Sequence, residues 1–252
     1  MRLNNRVAII TGAGAGIGKA IALRYACEGA KVVVAEINVE TGQATADEIH
    51  VLKGEGVFVR TDVAEESDVR NLVETALRHY GRVYILVNNA GVLMTGKDTR
   101  LHELSSEVWE RTLAVNLRGH WLCSKYVIPI MLKQGGGCII NFASPTGMRG
   151  YQGLTAYSTS KGGIIALTRA MAADYSRDHI RVNAIVPGTI DTPMNAATLS
   201  DERRREELIA MAPSRRLGIA SDLAGTAVFL ASDDAEYCMG GFYMVDGGLM
   251  AV

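Results

Sequence analysis

The sequence predicts an α/β fold in which a doubly wound parallel sheet of about seven strands carries helices on both faces. Short runs rich in β-branched residues alternate with longer amphipathic segments along the chain. Most of the short runs lack strict polar alternation, which is typical of strands that are covered on both faces. The repeated order of strand and then helix indicates crossover connections between parallel strands.

The predicted elements follow one another in regular alternation. Strands are expected at residues 6–11, 31–36, 57–60, 84–88, 137–143, 180–185 and 241–245. Helices are expected at residues 17–28, 40–53, 66–80, 106–134, 155–176 and 221–232. Because no linker or repeat divides the chain, residues 1–252 are predicted to form one domain. The segment at about 190–213 mixes apolar residues with a run of charges, and we expect it to act as a lid.

Composition and charge exclude several classes of protein. A hydrophobic content of 48% argues against disorder, and a net charge of −1 gives no basic surface for nucleic acid or an anionic membrane. No uninterrupted apolar stretch approaches the ~18 residues that a membrane span needs. The four cysteines lack close-spaced ligand pairs, so no metal site is predicted. We expect a cytoplasmic protein with reduced thiols that acts on a small molecule.

A glycine-rich segment lies directly between the first predicted strand and the first predicted helix. Glycines there allow a tight turn and let backbone N–H groups approach a pyrophosphate at the helix N-terminus. A P-loop is excluded, since Ala13 stands at its first glycine and Ala20 at its hydroxyl position. The segment therefore predicts a dinucleotide-binding loop, and its candidate contacts are Gly12, Gly14, Ala15, Gly16, Ile17 and Gly18.

Polar residues at later strand ends extend this prediction. Glu36 ends the second predicted strand, where an acid can bond the adenosine ribose hydroxyls and would repel a 2′-phosphate. We therefore expect NAD in preference to NADP, although an exposed acid at a strand end is the alternative interpretation. Further candidate cofactor contacts follow the third and fourth predicted strands, and they are Asp62, Val63, Asn89, Ala90 and Gly91.

Tyr157 and Lys161 are predicted to lie one turn apart on the same face of a helix. A cation there is expected to lower the phenol pKa and so let the tyrosine exchange protons with an alcohol or carbonyl oxygen. Ser144 ends the preceding strand and can bond the same oxygen. Pro145 follows it and biases Ser144 towards extended geometry. Without further motifs, an amphipathic helix with a surface tyrosine and lysine remains an alternative.

Across nearly its full length, the sequence resembles the classical short-chain dehydrogenase/reductase family, whose fold is a single Rossmann-type domain. The glycine motif of that family is matched by Thr11, Gly12, Gly16 and Gly18. Its Asn-Asn-Ala-Gly motif is matched by residues 88–91, and its C-terminal signature by residues 245–248. Its catalytic tetrad resembles Asn116, Ser144, Tyr157 and Lys161.

The resemblance implies the role of each tetrad residue. Tyr157 would be the general acid/base, Lys161 would hold the nicotinamide ribose, Ser144 would orient the carbonyl and Asn116 would keep a relay water in place. It also implies cofactor contacts from Tyr157 and Lys161 and, near the nicotinamide, from Pro187, Gly188, Ile190 and Thr192. Members of the family are commonly tetramers, so a homotetramer or homodimer is expected.

The expected activity is NAD-dependent interconversion of a secondary alcohol and a ketone, with a small polar, sugar-like or cyclic substrate. The predicted pocket residues are Ser144, Met94, Thr146, Arg149 and Gln152. Two alternatives remain open at this point: a reductase of 3-oxoacyl thioesters, and a nucleotide-sensing regulator that kept the fold without the chemistry.

Overall fold

The structure of the chain, a computed structural model, describes residues 1–251. Its strands are β1 (Val7–Thr11), β2 (Lys31–Glu36), β3 (Glu55–Arg60), β4 (Ile85–Asn88), β5 (Gly137–Phe142), β6 (Ile180–Pro187), β7 (Ile190–Asp191), β8 (Gly218–Ile219) and β9 (Phe242–Val245). Its α-helices are α1 (Gly16–Cys27), α2 (Val39–Val51), α3 (Glu66–Tyr80), α4 (Ser106–Leu113), α5 (Gly119–Gln134), α6 (Thr155–Tyr175), α7 (Ala196–Leu199), α8 (Glu202–Met211) and α9 (Ala220–Ala231).

The main sheet has seven strands in the order β3-β2-β1-β4-β5-β6-β9, and all neighbouring strands are parallel. The predicted doubly wound parallel sheet is therefore confirmed. Chain order reverses between β1 and β4, and ligands of open α/β sheets bind at such a switch point, outside the carboxyl ends of the strands. Strands β7 and β8 form a separate parallel pair near that edge.

Helices cover both faces of the sheet. The neighbouring β1 residues Ile9 and Ile10 are both fully buried, but they belong to different apolar clusters. Ile10 lies in the cluster that includes residues of α1 and α9, whereas Ile9 lies in the one that includes residues of α3 and α5. Successive strand side chains point to opposite faces, so coverage on both faces leaves no room for polar alternation.

The structure differs from the predicted elements in the middle of the chain. The helix predicted at 106–134 is divided into α4, a π-helical turn at Ala114–Arg118, and α5. Such a turn adds one residue to the helical repeat and hardly changes its apolar pattern, so the sequence gives no signal for it. In the segment at 190–213, none of the residues of α8 is buried. Within residues 1–251, no helix is long and apolar enough to cross a membrane.

Candidate active site

Two adjoining cavities lie at the carboxyl edge of the sheet, where β1, β4 and β5 end. The small cleft has a volume of about 240 Å³ and extends towards the end of β2. The large cavity has a volume of about 830 Å³ and extends over the start of α6 towards α8. The two form one continuous crevice, since they share the lining residues Ile17, Asn89, Gly91, Thr192 and Met194.

Most of the residues singled out in the sequence line this crevice. The small cleft contains the predicted cofactor contacts Gly12, Ala15, Gly16, Ile17, Glu36, Asp62, Val63, Asn89, Ala90, Gly91 and Thr192, of which Thr192 was expected near the nicotinamide and also lines the large cavity. The large cavity contains the predicted catalytic, nicotinamide and substrate residues Ser144, Thr146, Arg149, Gln152, Tyr157, Lys161, Pro187, Gly188 and Ile190. Four predicted residues line neither cavity, and they are Gly14, Gly18, Met94 and Asn116.

The glycine-rich loop is held tightly against the end of β4. Gly12 has a φ of +64°, and a Cβ there would lie 2.9 Å from the Cα of Ala90. A Cβ on Gly18 would overlap the carbonyl oxygen of Gly12. The side-chain amide of Asn89 donates hydrogen bonds to the carbonyl oxygens of Thr11 (2.9 Å) and Gly12 (3.2 Å). This close backbone, open on the side of the cleft, fits a pyrophosphate at the N-terminus of α1.

Glu36 closes the far end of the small cleft. One oxygen of its carboxylate accepts hydrogen bonds from the backbone amides of Ile37 (2.9 Å) and Asn38 (3.1 Å). The other accepts one from the amide of Gly14 at 3.0 Å. A carboxylate has about four acceptor positions, so one is left for a hydroxyl in the cleft.

Asp62 is held in the cleft by a partner that the sequence did not indicate. The guanidinium of Arg111, from α4, lies 3.3 Å from its carboxylate. The second oxygen of Asp62 accepts a hydrogen bond from the amide of Ala64 at 2.9 Å. Arg111 also lines the cleft, and nothing in its helical context marks it as a site residue.

Tyr157 and Lys161 meet in the large cavity as predicted, but their electrostatics differ from the expectation. Burial raises the pKa of Tyr157 to about 12 and lowers the pKa of Lys161 to about 8. The Lys161 ammonium donates a hydrogen bond to the carbonyl of Phe142 at 2.8 Å and lies 5.5 Å from the centre of the Tyr157 ring. Desolvation of both groups therefore outweighs the lowering of the tyrosine pKa that was expected from the neighbouring cation.

Ser144 stands at the end of β5 in the extended conformation predicted from Pro145, with φ −164° and ψ 154°. Its hydroxyl accepts hydrogen bonds from the amide of Thr146 (3.2 Å) and from the hydroxyl of Thr146 (3.1 Å). A hydrogen bond with Ser144 also acts to lower the pKa of Tyr157, against the effect of burial. The two hydroxyls are thus directed at the same part of the cavity.

Asn116 lies in the π-helical turn and is fully buried. Its side-chain oxygen accepts a hydrogen bond from the amide of Val92 at 2.7 Å. Its side-chain nitrogen donates to the carbonyl of Val92 (3.0 Å) and to the hydroxyl of Ser160 (3.2 Å). The side chain joins the loop after β4 to α6, and one lone pair remains to serve the water-holding role, which stays a prediction.

Asp98 anchors the helix that carries Tyr157, and no local sequence pattern indicates this contact. Its buried carboxylate accepts hydrogen bonds from the backbone amides of Ala156 (3.0 Å) and Tyr157 (2.8 Å). These amides belong to the first turn of α6, whose N–H groups have no partner within the helix. Capping signals are read from adjacent residues, whereas this acid comes from a loop 59 positions earlier than Tyr157.

One of the predicted substrate-pocket residues lies outside the large cavity. Met94 does not line the large cavity, but its neighbours Leu93 and Thr95 do. The carbonyl of Met94 accepts hydrogen bonds from the amides of Lys97 and Asp98, so a turn fixes this loop and decides which side chains reach the cavity. Remote segments complete the wall with Tyr151, Arg204, Leu208, Met211 and Leu249.

The fold and this crevice define a doubly wound α/β protein with a tyrosine, a lysine and a serine at one end of a crevice along the carboxyl edge of its sheet. Comparison with known proteins gives the family. A family model described as enoyl-(acyl carrier protein) reductase matches residues 12–250. The chain belongs to the classical short-chain dehydrogenase/reductase family, and it is an oxidoreductase of that family.

Several relatives cover nearly the whole chain. Cyclohexanol dehydrogenase of Acinetobacter sp. (strain SE19) is 40% identical over 98% of this chain and 95% of its own length. The 3-oxoacyl-[acyl-carrier-protein] reductase FabG of Thermotoga maritima is 37% identical over 99% of this chain and 100% of its own. A putative NAD(P)-dependent gluconate 5-dehydrogenase from Beutenbergia cavernae, solved with bound NADP, has a TM-score of 0.94 at 38% identity, covering 99% of this chain and 98% of that one.

Proposed function

We propose that this protein interconverts a secondary alcohol and a ketone with NAD(H), and that Tyr157 is the general acid/base. The observation that carries the proposal is that Tyr157, Lys161 and Ser144 line one cavity continuous with the glycine-loop cleft. When bound, the nicotinamide ring supplies hydride transfer to or from the substrate carbon.

The residues of the chain supply the remaining steps. The Tyr157 phenol gives a proton to the carbonyl oxygen in reduction and takes one from the alcohol in oxidation. The Ser144 hydroxyl donates a hydrogen bond to the same oxygen and stabilises its developing charge. Lys161, held by the carbonyl of Phe142, provides a cation beside the phenol and a donor for a ribose hydroxyl.

The cofactor is proposed to lie along the crevice with its adenosine in the small cleft. Backbone N–H groups of the glycine loop hold the pyrophosphate, and the remaining position on Glu36 takes a ribose hydroxyl. The other proposed contacts are Gly14, Ala15, Gly18, Asp62, Val63, Asn89, Ala90, Gly91, Pro187, Gly188, Ile190 and Thr192.

The preference for NAD over NADP rests on the charge of Glu36, which would repel a 2′-phosphate. We expect kcat/KM to be higher with NAD than with NADP. In Glu36→Ala, the ratio of kcat/KM for NAD to that for NADP should decrease, because the variant should bind NAD more weakly and no longer repel NADP. Asp178→Ala, at an exposed acid far from the cleft, serves as the matched control. A wild-type enzyme that prefers NADP would show this cofactor assignment to be wrong.

The proposed substrate is a secondary alcohol that is polar, sugar-like or cyclic, and the relative named as a cyclohexanol dehydrogenase favours this range. A panel of polyols, hydroxyacids, cyclic alcohols and hydroxysteroids, scored by NADH formation, tests it. Turnover of hydroxysteroids alone would count against a small polar substrate.

A 3-oxoacyl thioester reductase is the second candidate, because a relative bears the name FabG and the cavity is large. Reduction of an acetoacetyl thioester well above all simple ketones would select it. Binding of cofactor without turnover of any panel member would instead favour a nucleotide-sensing regulator.

The segment at about 190–213 is proposed as a lid, since Thr198, Arg204 and Leu208 reach the large cavity although α8 has no buried residue. Slower proteolysis within this segment on adding cofactor and substrate together would support closure. The single catalytic domain, the cytoplasmic location and the homotetramer or homodimer stay predictions, and light scattering in solution tests the last of these.

A further inference from the structure

The charged side chains that line the large cavity are all positive. Three of its lining residues carry a positive charge, namely Arg149, Lys161 and Arg204, and no aspartate or glutamate is among the lining residues. This contrasts with a net charge of −1 for the chain and with the small cleft, which has both Glu36 and Asp62 in its wall. A cavity with low-dielectric walls and charges of one sign concentrates ligands of the opposite sign.

Arg149 has no charged partner among the residues that the structure describes. The side chain is half-buried, and among residues 1–251 no carboxylate lies within 4.0 Å of it. Its Nε and one terminal nitrogen donate to the hydroxyl of Tyr151, at 3.0 and 2.8 Å, and the other terminal nitrogen is 3.5 Å from the carbonyl of Leu249. These neutral acceptors engage three of the five N–H groups, and no carboxylate of residues 1–251 compensates the charge.

Tyr151 also fixes the orientation of this guanidinium. The Arg149 side chain lies over the Tyr151 ring at 5.1 Å from its centre, while the same phenol accepts two of its hydrogen bonds. A guanidinium held in one orientation loses little conformational freedom when a planar anion bonds to it with two parallel hydrogen bonds. Arg149 is therefore arranged as a receptor for a carboxylate on the substrate side of Ser144 and Tyr157.

Arg204 is placed to contribute less. It reaches the cavity from α8, but one of its terminal nitrogens is 2.8 Å from the carboxylate of Glu207 and about half of its side chain is exposed. An exposed and already paired charge contributes little to binding. Because Arg204 lies on α8, its distance from a ligand would change with any movement of the proposed lid.

We propose that the substrate is a secondary alcohol, or its ketone, that also carries a carboxylate, and that Arg149 binds this carboxylate. The inference deepens the proposed function and rests on it, since it names the substrate class of the same cavity. Hydride and proton transfer remain as proposed, and the carboxylate takes no part in them. Its function is to orient the alcohol carbon and to select among alcohols of equal size.

Matched pairs of substrates test the inference. Each hydroxy acid is compared with its own methyl ester and amide, which keep the carbon skeleton and the alcohol but lose the charge. We expect the wild-type enzyme to favour the acids, and the KM for the acids to rise with ionic strength while that for the esters does not. Simple neutral alcohols in the same assay report separately whether the proposed alcohol chemistry takes place.

Variants of the two arginines give the second readout. A hydrogen bond to a charged group contributes about 1.5–3 kcal/mol. Arg149→Gln should therefore raise the KM for an acid about 10- to 150-fold and leave the KM for its ester unchanged. Arg149→Lys should recover part of the loss, and Arg204→Gln should have a smaller effect. Arg203→Gln, one residue from Arg204 but 89% exposed and outside the cavity, should change nothing.

The possible outcomes distinguish the proposed function from the inference that Arg149 binds a substrate carboxylate. Equal use of acids and esters by an active enzyme would overturn the inference and leave the proposed function in place. An equal loss on acids and esters in Arg149→Gln would overturn it too, because it would show that Arg149 only supports the loop. No turnover of acids, esters or neutral alcohols would contradict the proposed function and the inference together.

Discussion

The small cleft and the large cavity adjoin along one edge of the sheet, yet they are constructed differently. The cleft is formed where strands end, from glycines, backbone amides and the acids Glu36 and Asp62. The cavity is formed by the end of β5, the start of α6, several loops and α8, and all its charged residues are cations. The sheet fixes the geometry of a strand end, whereas loop geometry depends on side chains from remote parts of the chain. We therefore expect changes in the cleft to alter cofactor binding, and changes in the cavity to alter substrate choice and turnover.

Substitution of Tyr157 gives the largest expected effect in a test of whether the cleft binds cofactor and the cavity supports turnover. Its phenol lines the cavity but not the cleft, so Tyr157→Phe should remove the proton donor and keep cofactor binding. Since general acid/base catalysis contributes about 10²- to 10⁴-fold, we expect kcat to fall by a factor in that range. Stopped-flow rates and NADH fluorescence titration measure the two quantities.

Tyr237→Phe is the matched control, because Tyr237 is fully exposed and lies outside both cavities. It should retain wild-type rates and cofactor affinity. Near-normal turnover in Tyr157→Phe would show that another group moves the proton, and a large loss of NADH binding would show that cleft and cavity are not separable at this residue.

The same division explains how much could be read from the sequence. Gly12, Glu36 and Asn89 are found where a strand pattern ends, so their position along the chain already gives their place in the fold. Arg111 and Asp98 act across long sequence separations, through an ion pair with Asp62 and through the amides of α6, and no local pattern marks such contacts. Met94 was assigned to the wall in place of its neighbours, because a turn decides which side of a loop faces the cavity.

The pKa values could not be read from the sequence either. Spacing places Lys161 one turn from Tyr157, and this alone favours a lowered phenol pKa. Only the structure shows that both groups are desolvated and that the ammonium is bonded to the carbonyl of Phe142. Burial is a property of tertiary packing, and it reversed the direction that the pair alone implies.

Asp98 gives the next largest effect, because it links the loop after β4 to the backbone of Tyr157 itself. Asp98→Ala leaves two amides of α6 without their acceptor, at about 1–3 kcal/mol for each buried unsatisfied group. We expect kcat to fall 10-fold or more with little change in NADH affinity, measured well below the thermal midpoint of the variant. Asp98→Asn keeps one acceptor oxygen, so its kcat should lie between that of the wild type and that of Asp98→Ala.

Asp174→Ala is the control for Asp98, since Asp174 is an exposed acid at the opposite end of the same helix. It should leave kcat and the thermal midpoint close to those of the wild type. If Asp98→Ala lowered stability but not kcat, the acid would cap the helix without positioning the tyrosine.

Gly18→Ala tests the cleft side of the division. The added Cβ would overlap the carbonyl of Gly12, which belongs to the backbone and cannot move without displacing the loop. Overpacking of this kind costs about 1–3 kcal/mol, which we expect to appear as weaker NADH binding and a lower thermal midpoint. Gly225→Ala is the control, because nothing lies within 4 Å of a Cβ at this position of α9. Unchanged NADH affinity in Gly18→Ala would contradict the proposed cradle.

The smallest effect is the stability cost of keeping Lys161 buried. With its pKa lowered to about 8, the folded protein releases this proton before the unfolded chain does, so the penalty is present in full below pH 8 and is relieved as the pH rises towards the unfolded value. Between pH 8 and pH 9.5 the relief amounts to about 2 kcal/mol. Raising the pH further would add the opposite contribution of Tyr157, whose raised pKa makes stability fall above about pH 10.

Urea unfolding of the wild type and of Lys161→Met at pH 7, 8 and 9.5 measures this relief. Between pH 8 and pH 9.5, the free energy of unfolding of the wild type should increase relative to that of Lys161→Met. For Lys133→Met, at an exposed lysine, the free energy of unfolding should change with pH as it does in the wild type. Parallel curves for both variants would mean that Lys161 is hydrated in the folded protein. The cation beside Tyr157 would then have a higher pKa than burial implies.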